Sequence, residues 1–400
     1  MCILISPNVV FVSGAYNGAI YDFNKNRLFA VNHDANLFLK RLVQGGYAES
    51  TEEKEYYSLL INNKLLEHGY PFREYIPQGN ISTKLNFAWL EVTQMCNLRC
   101  IHCYEGEAHN VSIYRLSLLE WKRILKELSE AGCSHIQFIG GEPSYCPYII
   151  DLIDEAGSLK FKTITFFTNC TNISDDLVKC LKRNNVLIKV SIYGHTAAIH
   201  DKITSVKGSF NNTINNIKML QQNSISVSAV VTIMFENELY YENIIQFIHE
   251  LGIQFDKFDL VREVSGCKQN CKLVSRKDLI EKKYRTKPKF SISKEWFDKS
   301  VTQNTCWYGK FAIAENGDVF PCVFERKIIY GNLKNMTVCE VLNSSVVKNY
   351  WRMDFSKIDE CNECEFRFAC KDCRPLGELN GNITKKNIRC LYHPRTGEWK

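Results

Sequence analysis

Long apolar runs are missing from this chain of 400 residues, and none approaches the ~20 residues that a membrane-spanning helix needs. The opening MCILISPNVVFVSG lacks the basic start and long apolar stretch of a secretory signal. A cytoplasmic protein with no membrane partner is therefore expected. An excess of charge of one sign is missing too. The formal net charge is +6, with Lys and Arg interspersed among Asp and Glu, so no nucleic-acid partner is expected. Repeats of fixed period and low-complexity tracts are also absent, which excludes solenoids and arrays.

The residue in excess is cysteine, at 18. In a reducing compartment such cysteines are more often metal ligands or catalytic groups than disulfides. The remaining composition, 45% hydrophobic and 24% charged, is that of a globular protein. The length allows about two or three domains.

From Asn86 to about Glu263, β-rich runs alternate with amphipathic helices, the pattern of βα units around a parallel sheet. Six strands are expected: NFAWLEVT from Asn86, HIQFIG from His135, KTITFFTN from Lys162, VLIKVSIYG from Val186, SVSAVVTIM from Ser226 and FDKFDLVRE from Phe255. The first helix is the best signalled. Ser117 and Glu120 make a capping box, Trp121, Ile124, Leu125 and Leu128 follow at helical spacing, and Gly132 can end it. Further helices start near Ser174, Phe210 and Glu238. The expected fold is α/β: a partial (β/α)6 TIM-like barrel over residues 86–265, whose chemistry sits where strands end and loops begin. Residues 1–80 read as a small α+β, winged-helix-like domain, with an antiparallel ribbon followed by two helices. Over residues 300–400 periodicity fades and cysteine dominates, as in a small fold held by metal.

In TQMCNLRCIHCY, Cys96, Cys100 and Cys103 are separated by three residues and then two. A structural zinc site usually draws on paired CxxC units for four ligands, and this loop offers three. Thiolates suit iron–sulfur clusters as well as zinc. In a cubane 4Fe-4S cluster three cysteines hold three irons and leave the fourth free for a substrate or cofactor. A zinc knuckle that borrows a distant His or Cys is the alternative. One βα unit later, Gly140-Gly141-Glu142-Pro143 ends the second strand; alone it reads as an ordinary turn.

Together, CX3CX2C after the first strand and GGEP after the second resemble the radical S-adenosylmethionine (SAM) superfamily. The resemblance implies that the open iron chelates SAM, that Gly140, Gly141, Glu142 and Pro143 hold its amino group, and that Asn169 and Ser191 face it. For those last two, an ordinary strand-end polar role stands beside the functional one. Tyr104 reads as packing. Tyr193, His195, His200 and Asp201 receive no catalytic role. Such a site supplies a 5′-deoxyadenosyl radical, with the cofactor carrying the chemistry and the protein positioning it.

The last hundred residues hold Cys306, Cys322, the run CNECEFRFACKDC with Cys361, Cys364, Cys370 and Cys373, and Cys390. Paired zinc ribbons would use the same spacing. The arrangement resembles the SPASM extension of peptide-modifying radical SAM enzymes, which implies two auxiliary 4Fe-4S clusters. Cys361, Cys364, Cys370 and Cys390 would hold one, and Cys306, Cys322 and Cys373 the other. The second set lacks a cysteine between Cys306 and Cys322, which leaves an open iron or a ligand from Cys267, Cys271 or Cys339. Cys133, Cys146, Cys170 and Cys180 read as buried spectators.

The resemblance extends to maturases encoded beside ATP-grasp peptide ligases. It implies a ribosomally made precursor peptide as substrate, thioether crosslinking as the reaction, and a flavodoxin- or ferredoxin-type electron donor. Epimerisation, carbon–carbon crosslinking and oxidation of a sulfatase Cys or Ser are alternatives, and a zinc-stabilised binding protein is the rival from another class. The amino-terminal ribbon offers an edge to which a peptide could add as a strand.

Overall fold

The strand VVFVS is apolar at nearly every position, a pattern that demands cover on both faces of a sheet. The computed structural model, which describes residues 2–77, 84–106, 115–262, 272–284, 290–371, 373–378 and 382–399, supplies it. Strands β1 (Cys2–Ser6), β2 (Val9–Ser13), β3 (Gly18–Asp22) and β4 (Arg27–Val31) form an antiparallel meander, with β5 (Arg73–Glu74) added beside β1. One face carries Ile5, Val9, Phe11 and Ile20, packed with Phe38, Leu39 and Leu42 of helix α1 (His33–Val43) and Leu60 of α2 (Thr51–Asn62). Asn32 caps α1, and Ser50 with Glu53 forms a capping box on α2.

The opposite face carries Val10, Val12, Ala19 and Tyr21. It is covered by Phe297, from the helix Lys294–Thr302, and by Cys364, Phe366, Phe368 and Tyr392. The Phe297 ring meets those of Tyr21 and Phe368 edge-on, at 4.8 and 5.1 Å. This compact unit is thus assembled from Met1–Ser82, Tyr284–Tyr308 and Asn349–Lys400.

The second unit comprises Thr83–Lys283 and Gly309–Lys348. Its strands β6 (Phe87–Thr93), β7 (His135–Gly140), β8 (Thr163–Thr168), β9 (Leu187–Ser191), β10 (Val227–Ile233) and β11 (Gln254–Leu260) are parallel and lie in sequence order. All six match the expected runs. Each strand adds beside its predecessor through a helical crossover, so the sheet winds in one direction as a partial barrel. Along β6–β9, Ala88, Leu90, Ile136, Phe138, Ile164, Phe166, Ile188 and Val190 make one buried apolar face. The other face presents Glu91, Gln137, Thr165, Lys189 and Ser191.

Helix α3 (Leu118–Glu130) has the expected capping box and buries Trp121, Ile124, Leu125 and Leu128. Helices α4 (Ile149–Ser158) and α6 (Ala197–Thr204) were not signalled, and neither has a side-chain N-cap bond. Helices α5 (Asp175–Arg183), α7 (Ser209–Gln222) and α8 (Tyr241–Glu250) occupy the remaining expected segments. Beyond β6 the sheet continues with β12 (Lys310–Ile313), parallel to β6, then antiparallel β13 (Asp318–Phe320) and β14 (Gly331–Asn332). Among the described residues no helix is long and apolar enough to cross a membrane.

Phe297 is fully buried where the sheet meets Cys364, Phe366, Phe368 and Tyr392. Phe297→Ala is expected to destabilise this unit by about 3–5 kcal/mol through the cavity it leaves. Denaturant unfolding followed by hydrogen exchange in β2 and β3 would check it, and unchanged protection of those strands would contradict the two-faced packing.

Candidate active site

The cysteine loop leaves β6 at Thr93 and folds directly onto the end of β7. The Gly141 N–H donates to the Thr93 carbonyl at 2.8 Å, and the Glu142 N–H to that of Met95 at 2.7 Å. This approach dictates the glycines. A Cβ on Gly140, whose φ is +145°, would lie 2.1 Å from the Thr93 oxygen, and one on Gly141 would lie 2.5 Å from the Gln94 and Met95 oxygens.

Glu142 is fully buried. Its Oε1 accepts from the Thr168 hydroxyl at 2.6 Å and the Ser144 N–H at 3.2 Å, and its Oε2 from the Asn169 N–H at 2.7 Å. The carboxyl joins the ends of β7 and β8. Burial raises its pKa, and these hydrogen bonds oppose the rise. Pro143, also buried, opens the short turn Pro143–Tyr145.

Asn169 reaches back to the cysteine loop. Its Nδ2 donates to Asn97 Oδ1 at 3.1 Å and lies 3.7 Å from Cys96 Sγ, while its Oδ1 accepts from the Thr171 hydroxyl at 2.7 Å. Asn97 Nδ2 in turn donates to Thr171 Oγ1 at 2.8 Å. Asn97 and Thr171 were missed, since a lone Asn or Thr in a loop carries no spacing signal.

The three thiols lie within one another's fields. Burial, followed in order of size by a Leu98 N–H bond that opposes it and by the charges of Glu142 and Cys103, pushes Cys96 up to about 11. Burial and then the charges of Cys103 and Cys96 raise Cys100, and burial raises Cys103. The loop is also pinned to the end of α6, where the Arg99 and Ile101 N–H groups each donate at 3.0 Å to the Thr204 and Ile203 carbonyls.

Beside Cys100 stands a buried ring cluster. The Tyr193 ring meets His102 at 4.6 Å and His200 at 5.4 Å, and Ser191 is buried at the end of β9. Burial pushes both histidines down to about 4, so they are neutral at neutral pH. His200 Nδ1 accepts from the Tyr193 N–H at 3.3 Å. Asp201 accepts from the Gly208 and Phe210 N–H groups at 2.6 and 2.8 Å, a role in opening α7.

A second network reaches the loop from after β13. Arg326 donates to both oxygens of Glu91, at 2.8 and 2.5 Å, and to Glu105 at 2.6 Å. The Tyr104 hydroxyl donates to Glu91 at 3.1 Å, and its ring meets Phe324 at 5.7 Å. Burial, with the charge of Glu91 beside it, lifts the Glu105 carboxyl to about 7 against the pull of Arg326. Tyr104 therefore packs, as expected, and its hydroxyl also ties the position after Cys103 to Glu91. Arg326 and Glu91 lie 235 residues apart, beyond the reach of any motif.

Among the carboxy-terminal cysteines, Cys364 is buried and feels the charges of Cys361 and Cys390, while Tyr21 feels Cys370 and Cys364. Cys364, Cys370 and Cys390 pack in the core on the amino-terminal sheet, and Cys361 lies in the field of Cys364. Cys306 and Cys373 belong to the same unit, whereas Cys322 belongs to the barrel unit, just after β13. Cys339 is exposed, Cys133, Cys146, Cys170 and Cys180 are buried, and Cys267 and Cys271 lie outside the described residues. Among the described residues no three His, Cys, Asp or Glu side chains surround a single ion position. A cubane asks for something different, one thiolate at each of several separate irons.

Residues 90–248 match the model of the Radical SAM superfamily, and residues 306–365 match that of the SPASM iron-sulfur cluster-binding domain. The chain is a radical SAM enzyme with a SPASM domain. It is 28% identical, over 74% of its length and 89% of the relative's, to a cysteine-type anaerobic sulfatase-maturating enzyme of Clostridium novyi. It is 25% identical, over 75% and 70%, to the subtilosin biosynthesis protein AlbA of Bacillus subtilis. The fold matches that of Streptococcus suis SuiB with a TM-score of 0.63, at 17% identity, over 96% of this chain and 99% of that one.

A radical SAM enzyme uses a 4Fe-4S cluster and SAM, and a SPASM domain binds auxiliary iron–sulfur clusters. The residues present fit the first of these groups. Three partly buried thiols lie within one another's fields beside a glycine pair that leaves no side chain between loop and strand, and positive charge from bound iron would offset their mutual repulsion.

Two outcomes follow from this geometry. Gly140→Ala is expected to lower the yield of 5′-deoxyadenosine after dithionite reduction by roughly a hundredfold, the scale of a 1 Å misplacement; wild-type cleavage would show that the backbone can yield. In protein stripped of clusters, Cys96 holds its proton more tightly folded than unfolded, so the folded state binds more protons between the ordinary value of 9.0 and about 11. Stability should therefore fall as pH rises through that window, and the fall in melting temperature should be smaller in Cys96→Ala.

Proposed function

We propose that this radical SAM/SPASM enzyme modifies a ribosomally made precursor peptide, joining a cysteine sulfur to a carbon of the same peptide in a thioether. The observation that carries a peptide substrate is the amino-terminal sheet. Beyond Leu28, whose N–H pairs with the Phe290 carbonyl, β4 borders a groove of about 880 Å³ lined by Ala30, Val31, Phe38, Arg41, Glu53 and Tyr56. An extended chain fits such a place by strand addition, with the apolar floor taking alternate side chains. The likeness to a bacteriocin biosynthesis protein and to a sulfatase-maturating enzyme supports a polypeptide substrate.

In this reading Cys96, Cys100 and Cys103 hold the radical SAM cluster, and Gly140, Gly141, Glu142, Pro143, Asn169 and Ser191 line the SAM position. When bound, these groups would supply a 5′-deoxyadenosyl radical able to take a hydrogen atom from a peptide carbon and, at an auxiliary cluster, an acceptor for the electron left when carbon and sulfur join and the thiol proton departs. The chain's own part is positional. Glu142, spent on Thr168, Ser144 and Asn169, locks the two strand ends together; Arg326 fastens the residues after Cys103; and the Tyr193, His102 and His200 rings keep water from Cys100. A flavodoxin- or ferredoxin-type protein would deliver the reducing electron.

The test is mass spectrometry of a short cysteine-bearing peptide encoded beside the gene, incubated with reduced enzyme and SAM. Loss of one hydrogen pair, with one cysteine no longer open to iodoacetamide, is expected. An unchanged mass with an inverted residue would replace crosslinking by epimerisation. Turnover of a small molecule with no peptide reaction would refute the peptide reading. Cys100→Ala should abolish 5′-deoxyadenosine formation while auxiliary iron remains.

A further inference from the structure

Among the buried cations near the carboxy-terminal cysteines, which include Arg374 and Lys386, Arg367 is the one that bonds to the amino-terminal sheet. Arg367 is 6% exposed. Its Nη1 donates to the Cys364 carbonyl at 2.6 Å and to that of Ser13, the last residue of β2, at 3.3 Å. Its guanidinium carbon lies 4.7 Å from the centre of the Phe368 ring. The charge of Arg367 is felt at Cys2 on β1 and at Tyr21 on β3, and Tyr21 also lies in the fields of Cys364 and Cys370. The core that covers this face of the sheet contains Cys364, with Cys2, Cys370 and Cys390 packed against it. Glu365, the adjacent buried carboxyl, accepts from the Tyr392 hydroxyl and also lies in the field of Arg367.

The seat of this arginine is fixed from two sides. In the β2–β3 turn, the Gly14 carbonyl accepts from Lys40 Nζ at 3.1 Å and the Tyr16 carbonyl from Asn36 Nδ2 at 2.8 Å, both from α1. The Ala15 and Tyr16 N–H groups donate to the Glu363 and Pro394 carbonyls at 2.8 and 3.2 Å. The turn is stitched both to α1 and to the segment that bears the cysteines.

Four thiolates around an iron–sulfur cube leave it net negative, and a buried anion needs compensation. The reduction potential of such a cluster responds to nearby charge, hydrogen bonding and exposure. We propose that Arg367, seated on the amino-terminal sheet through Ser13, is the counter-charge of an auxiliary cluster held by Cys361, Cys364, Cys370 and Cys390, and raises its reduction potential. This rests on those four cysteines holding one cluster. The amino-terminal sheet then forms part of a redox centre as well as bordering a peptide groove.

The experiment is an EPR-monitored redox titration of the full-length, anaerobically reconstituted enzyme. Arg367→Gln should retain wild-type iron while the midpoint potential of one cluster moves downward, and Arg367→Lys, which keeps the charge, should restore it. An unmoved potential in Arg367→Gln, or an equal shift in Arg367→Lys, overturns the proposal. If Arg367→Gln fails to load, Arg367→Lys decides. Loading at the wild-type potential supports the charge role. A Lys variant that also fails to load, while its apoprotein melts like wild type, shows that shape matters and overturns it. Cys364→Ala separates the two layers: loss of about four irons upholds the cluster, whereas undiminished iron means that the four-cysteine reading fails first.

Discussion

The barrel end of this enzyme depends on one close approach of backbone to backbone. The chain leaving β6 and the chain leaving β7 pass so near each other that no side chain fits at Gly140 or Gly141. The hydrogen bonds made across that gap hold the loop of Cys96, Cys100 and Cys103 in place. Glu142 extends the same joint to β8. A buried carboxyl is tolerated there because every bond it accepts comes from a strand end or turn that must be fixed anyway. Preorganisation of this kind lets a cofactor-dependent site spend little on ordering when the cofactor binds.

Much of this was legible in the sequence, and for identifiable reasons. The six parallel strands are apolar runs bounded by turns, and the first helix carries both a capping box and a helical apolar stripe. The cysteine loop and GGEP are local in sequence, so their spacing survives in a one-dimensional reading. Helices α4 and α6 passed unnoticed; they lack side-chain caps, as do α7 and α8, and at ten and eight residues α4 and α6 are short. The Arg326–Glu91–Glu105 network joins segments more than two hundred residues apart, and nothing in charge patterning marks such a pair. Asn97 and Thr171 acquire meaning only through what Asn169 touches.

The amino-terminal ribbon shows the limit most clearly. Its apolar strands told of burial, but not of what covers the second face. That cover comes from Phe297, Phe366, Phe368 and Tyr392, of which the first lies between the two later expected domains and the rest in the cysteine-rich tail. A sheet with both faces occupied has little freedom to act as a detachable handle. The residues that line the groove beside β4 on one side therefore share a framework with cysteines on the other.

That shared framework has a consequence during synthesis. Strands β6 to β11 follow one another in both sequence and sheet, so the barrel can grow as the chain emerges, each strand finding its neighbour already made. The amino-terminal sheet is made first and finished last. Val10, Val12, Ala19 and Tyr21 stay uncovered until residues near 297 and 364–392 leave the ribosome. The nascent protein thus carries an exposed apolar face through most of its translation, and its closure coincides with the arrival of Cys361, Cys364, Cys370 and Cys390. Burial of that face is therefore a late event, which follows the emergence of every barrel strand.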